Sequence, residues 1–80
     1  MKIDFNPYAI VYTDDVSIYD VSFIIIDEGD RTIDICDQSG FSIAGIEYSE
    51  CKEIGYMPYN TNERLTGETV IIIKNGELVI

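Results

Sequence analysis

Residues 71–80 read Ile-Ile-Ile-Lys-Asn-Gly-Glu-Leu-Val-Ile, and this run constrains the fold more than any other part of the chain. A two-residue type I′ turn needs two successive residues with positive φ, which Asn75-Gly76 supplies and most residue pairs resist. The run therefore predicts a β-hairpin of fixed register: Lys74 opposite Glu77, Ile73 opposite Leu78, Ile72 opposite Val79, Ile71 opposite Ile80. Lys74 and Glu77 become a cross-strand pair of opposite charge. Side chains alternate along a strand, so Ile71, Ile73, Leu78 and Ile80 share the face expected to be core. Val70, Ile72 and Val79 share the other.

The remainder carries the same strand character in shorter pieces. Isoleucine, valine and tyrosine dominate an apolar content of 46%, and alanine occurs only at Ala9 and Ala44, a bias toward strands over helices. Residues 2–5 alternate until Asn6-Pro7 ends them, and residues 8–13 read as a second strand closed by Asp14-Asp15. Over residues 16–26 the apolar parity changes, with Val16 and Ile18 on one and Val21, Phe23 and Ile25 on the other. A regular strand cannot turn both sets inward, so a bulge or sharp bend is expected near Tyr19-Asp20. After a turn at residues 27–30, residues 31–36 alternate with Ile33 and Ile35 inward, and residues 37–40 turn the chain again. Phe41 and Ile43 against Ile46 and Tyr48 repeat the parity change, with Gly45 as the expected bulge. Ser49 can cap one or two helical turns ended by Gly55, so residues 49–54 read as a short helix or an irregular strand. Residues 55–67 have weak periodicity and read as a long loop.

These segments predict a mainly β fold. It is a small antiparallel sheet, closed as a barrel or folded as a sandwich, of about five to seven strands. The Asn-Gly hairpin sits at the C-terminus, and residues 49–54 add either a short helix or an irregular strand. Size scaling gives about 4,900 Å² of folded surface, which is one domain spanning residues 1–80. Two segments are apolar on both faces, residues 23–26 and the C-terminal hairpin. Their second face must be covered, either by loops closing a barrel or by a second subunit or partner.

Composition excludes most catalytic chemistry. Without histidine there is no Ser-His-Asp or Cys-His arrangement and no imidazole metal ligand. Cys36 and Cys51 lack a CxxC spacing, and no two glycines are close enough for a phosphate-binding loop. Asp27-Glu28-Gly29-Asp30 lacks the ligand spacing of a calcium loop and reads as a polar turn. A glycosidase-like carboxylate pair needs a cleft that a chain this short scarcely provides. No catalytic residue, cofactor or metal is expected. The first twenty residues do not resemble a signal peptide, and no apolar run could span a bilayer. A cytoplasmic protein with reduced thiols is the expectation.

Charge points to a partner. Five Lys and Arg against fifteen Asp and Glu leave a net charge of −10. Phosphate affinity comes from Lys and Arg, so direct binding of nucleic acid or an anionic membrane is not expected, and a basic protein surface is the natural counterpart. The carboxylates form no acidic tail; they fall at turns and outward strand positions. Two groups are candidate contacts: Asp27, Glu28 and Asp30 in one turn, and Glu47, Glu50 and Glu53 further on. Tyr56, Met57 and Tyr59 are the candidate apolar anchors, since tyrosine is favoured at binding hot spots.

In size and charge the chain resembles the small acidic inhibitors that phages encode, among them anti-CRISPR proteins and nucleic-acid mimics. That resemblance implies a non-enzymatic inhibitor whose carboxylates occupy the basic groove of a nucleic-acid-binding defence or repair protein. It requires the acidic groups to merge into one face. The alternative is a structural or assembly module forming a homodimer or larger oligomer, or docking in a virion-like particle, through the Val70, Ile72 and Val79 face or through an edge strand.

Overall fold

Short alternating runs separated by turn residues fold as antiparallel strands in a computed structural model that describes residues 1–59 and 68–80. The elements are β1 (Lys2–Tyr12), β2 (Ser17–Asp27), β3 (Thr32–Cys36), β4 (Ser42–Glu47), a 3₁₀ turn (Tyr48–Glu50), β5 (Glu53–Tyr59), β6 (Val70–Lys74) and β7 (Glu77–Leu78). They form one open antiparallel sheet in the order β4-β3-β2-β1-β5-β6-β7, with no α-helix among the described residues.

The β1–β2 hairpin organises the sheet. Lys2, Ile3 and Asp4 pair with Ile25, Ile24 and Phe23, whereas Ala9, Val11 and Tyr12 pair with Val21, Ile18 and Ser17. Residues 5–8 therefore face Ser22 alone, and Pro7 within them has no N–H for the ladder. Asn6-Pro7 interrupts pairing without ending the strand, so one long strand stands where two were expected. The second irregularity sets Tyr19 and Asp20 against Ile10, with Asp20 at φ 59°. This is the bulge that the parity change requires.

Outer strands attach to different halves of the hairpin. β3 pairs with β2 from Phe23 to Asp27, and β5 pairs with β1 from Tyr8 to Tyr12. The sheet bends between these halves, and its inner face closes on itself. Ile24, Ile26, Ile33, Ile35 and Ile46 from one half meet Val11, Val21, Ile54, Ile72 and Ile73 from the other in one core, with Tyr48 among them. Each fully buried isoleucine contributes roughly 1.5–3 kcal/mol. Curling brings distant turns together: Arg31 in the β2–β3 turn donates a hydrogen bond to the Gly76 carbonyl in the β6–β7 turn.

The C-terminal hairpin forms as its turn dictates. Asn75 and Gly76 have φ 53° and 78°, Lys74 pairs with Glu77, and Ile73 with Leu78. Its faces differ from simple alternation. The β5–β6 register slips between Ile54/Ile73 and Gly55/Ile71, making Ile72 the extra residue, and Ile72 and Ile73 are both fully buried. A bulge resets the period of two, so consecutive residues reach one core. Ile80 and Val79 are exposed.

Four further expectations are corrected. The bulge in β4 falls at Ile43, between the Cys36/Ser42 and Ile35/Ala44 pairs, while Gly45 pairs regularly with Asp34. Residues 49–54 form no α-helix: the 3₁₀ turn starts at Tyr48, and Glu53 already belongs to β5, held by Lys74 and Ile73 across the ladder. Residues 55–59 are strand, not loop, because Tyr8–Tyr12 supplies a partner that local periodicity cannot reveal; residues 60–67 lie outside the described residues. Among the described residues no layer covers the outer face of β2, since the sheet is open. Phe23 is half-buried with the Lys2 ammonium 4.4 Å from its ring centroid, and Ile25 remains 40% exposed.

Candidate functional site

Turn chemistry places the first acidic group. The Asp27 carboxylate accepts a hydrogen bond from Asp30 N at 2.9 Å, closing the β2–β3 turn, and Arg31 completes it at φ 58°. Asp27 and Glu47 are then the cross-strand neighbours of Thr32 on either side. Two strand spacings separate them, about 10 Å. The Tyr48 amide donates to the Arg31 carbonyl at 2.9 Å, which brings the 3₁₀ turn and Glu50 to the same end.

Other turns converge there. The Asp14 carboxylate accepts hydrogen bonds from Lys52 N at 2.7 Å and Glu53 N at 3.1 Å, fastening the β1–β2 turn to the start of β5. Asn75 N donates to the Lys52 carbonyl at 2.7 Å, and a groove beside it is lined by Asp14, Glu50, Lys52, Asn75 and Gly76. One end of the molecule thus carries Asp14, Asp15, Asp27, Glu28, Asp30, Glu47, Glu50, Glu53 and Glu77. Among the described residues Arg31, Lys52 and Lys74 stand against these nine carboxylates, a local excess of six negative charges.

Arg31 is the counter-charge at the centre. Its guanidinium lies 4.0 Å from a Glu77 carboxylate oxygen and 5.4 Å from the Tyr48 ring centroid. Beneath it Tyr48 is almost wholly buried, and its hydroxyl has no hydrogen-bond partner among the described protein groups. Burial pushes the Tyr48 phenol up; Glu28 and Asp27 add to this and Arg31 opposes it.

All six candidate carboxylates therefore lie at one end. The candidate aromatics do not join them. Tyr56 packs against Phe5 with ring centroids 4.8 Å apart and planes tilted by 46°, and against the core. Met57 pairs with Ile10 inside the ladder. Tyr59 stands six residues along β5 from Glu53, about 20 Å away at a strand's rise per residue. There it lies 5.9 Å from Tyr8, accepts a hydrogen bond from Asp20 N at 3.0 Å and donates one to the Asp20 carboxylate. Burial raises its phenol, and the bond to Asp20 adds to the effect. Beside it, Tyr8, Asp20, Asp37, Gln38 and Ser39 line a shallow cleft of about 310 Å³.

The sequence pattern missed Asp14, Asp15 and Glu77 as members of the acidic end. Asp14 meets Lys52, 38 positions on, and Glu77 meets Arg31, 46 positions back, and no local signal records that. It also missed the exposure of Phe41 and Ile43 beside the edge of the sheet, 71% and 47%. Among the described residues no three His, Cys, Asp or Glu side chains converge as a metal-holding group, and Cys36 and Cys51 are free. Comparison with protein-family models, curated proteins and solved structures finds no match.

Proposed function

We propose that this protein is a small, non-enzymatic acidic inhibitor that acts in the cytoplasm by occupying a basic, nucleic-acid-binding site on another protein. Its carboxylates stand where phosphates would lie, as in anti-CRISPR and other anti-defence proteins. The observation that supports this best is the convergence of Asp27, Glu28 and Asp30 with Glu47 and Glu50 on one rigid end. Charges fixed on strands and tight turns need no ordering on binding, and a concentrated field raises the association rate for a cationic surface. The assembly alternative has less support, because Ile72 is buried in the core and Val79 alone of its proposed face is exposed.

Capture of a host partner, followed by salt titration, tests the proposal. Binding should weaken steeply between low and moderate salt, be displaced by excess duplex nucleic acid, and fall at least tenfold in Glu28→Gln/Glu50→Gln. A charge-matched control, Asp4→Asn/Glu68→Gln, should bind like the unaltered protein. Salt-insensitive capture, or equal losses in both variants, would refute the acidic end as the contact.

A further inference from the structure

β4 is one edge of the sheet, and its outward backbone has no partner among the described residues. The register identifies the free groups. Tyr48 N bonds the Arg31 carbonyl, and antiparallel neighbours exchange bonds at alternate positions. Ile46 and Ala44 are thus bonded to Ile33 and Ile35, whereas Gly45 and Glu47 turn their N–H and C=O groups away from β3. The opposite edge, β7, is two residues long and offers no comparable row. An open edge is a template for another strand.

On the core side of this edge lies a cleft of about 280 Å³. Small-molecule sites usually run about 300–1,000 Å³, so this one suits one or two side chains. Ile46, Val16 and Cys51 supply its apolar lining, with Asp15 and Glu50 beside them. On the outer side, Glu47 follows Gly45, which pairs with Asp34. Beyond the bulge, Ile43 and Phe41 extend the surface with exposed apolar side chains.

We infer that the β4 edge receives an extended, basic segment of the partner as an added strand. Inward side chains of that segment enter the Ile46 cleft, and outward ones place ammonium or guanidinium groups against Glu47 and Asp34. Charge complementarity selects this occupant over a second copy. A two-fold pairing centred on Gly45 would set Glu47 against Ile43 and bring together two chains of net charge −10 each. The inference rests on the proposed binding to a basic protein and specifies how that partner is held.

The test uses a nine-residue peptide of alternating lysine and valine, with a same-charge control in which prolines replace the valines. Backbone pairing should give the Gly45 and Glu47 amides at least tenfold slower hydrogen exchange, and the proline peptide should bind at least tenfold more weakly. Gly45→Pro removes an outward N–H while leaving charge and the β3 ladder intact, so it should weaken the peptide about tenfold, the worth of one well-made hydrogen bond. Should that variant fold poorly, exchange in the unaltered protein and the proline control decide the matter. Equal binding of the two peptides, unchanged exchange at Gly45 and Glu47, no binding, or self-association through this edge each overturns the inference. Equal, salt-sensitive binding of both peptides that is lost in Glu28→Gln/Glu50→Gln would overturn strand addition while leaving the acidic end as the contact.

Discussion

Asp14 separates carboxylates that build the fold from those with no described contact in it. Its two oxygens accept the amides of Lys52 and Glu53, at 2.7 and 3.1 Å, where the chain leaves the 3₁₀ turn and enters β5. Asp14→Ala removes both acceptors. Hydrogen bonds to a charged group contribute about 1.5–3 kcal/mol when sheltered; at this exposed position about 1 kcal/mol each is appropriate, so the loss should be about 2 kcal/mol. Relief of repulsion with Asp15, Glu50 and Glu53 returns a few tenths. For a domain of this size 1 kcal/mol corresponds to roughly 4–8 °C, so the melting temperature should fall by about 8–16 °C. Asp14→Asn keeps one acceptor oxygen and should recover about half. Glu28→Gln, at a carboxylate with no described hydrogen bond or ion pair, should change stability by less than about 0.5 kcal/mol. Urea unfolding of the three variants measures this directly. A loss below about 0.5 kcal/mol for Asp14→Ala, or an equal loss for Glu28→Gln, would refute the division of roles.

Gly55 should tolerate no side chain: an added Cβ would stand 2.6 Å from Tyr12 Cζ and 2.9 Å from the Val70 carbonyl oxygen. Gly55→Ala is expected to cost about 1–3 kcal/mol by overpacking, read by urea unfolding, and Tyr12→Leu in the same chain should recover part of it. Alkaline stability is the third test. Burial raises the phenols of Tyr12, Tyr48 and Tyr59, with Glu53 adding to the effect at Tyr12. The folded state then keeps protons that the unfolded chain has already lost. Stability is full below the ordinary tyrosine value of about 10 and falls as pH rises beyond it, by up to about 1.4 kcal/mol per pH unit for each group. Tyr48→Phe should lessen that slope by one group in melts above pH 10, and an unchanged slope would show that Tyr48 does not contribute.

Features that depend on a few adjacent dihedrals were legible in the sequence. Asn75-Gly76 demanded positive φ and received it, and the parity change before Val21 located the bulge at Tyr19 and Asp20. Features that depend on a remote partner were not. Residues 55–59 contain glycine, methionine and proline, a poor strand by composition, yet Tyr8–Tyr12 holds them extended. Pro58 fits because the β5–β6 register stops at Tyr56, so no described strand asks for its missing N–H on that side. Tyr56 reads as an anchor until Phe5 is seen beneath it. The acidic groups were visible one by one, but their convergence depends on the curl of the sheet that brings Arg31 to Gly76.

That convergence also reduces what net charge alone implies. Asp14 spends both carboxylate oxygens, and Asp27 and Asp37 one each, on backbone amides, so their charge is partly a consequence of turn formation. Among the described residues Glu28, Asp30, Glu47 and Glu50 have no such local use, and three described cations share their end. Unpaired like charges held together oppose folding, so their fixed placement is the feature that solubility explains least well. A binding surface also needs a desolvated centre, and charged rims contribute less to affinity than buried contacts. Tyr59 stands at the other end and Tyr56 packs on Phe5 and the core, so neither provides it. The β4 edge is the site proposed for it: exposed Phe41 just precedes the strand, and within it exposed Ile43 and the Glu47 carboxylate join apolar contact and charge.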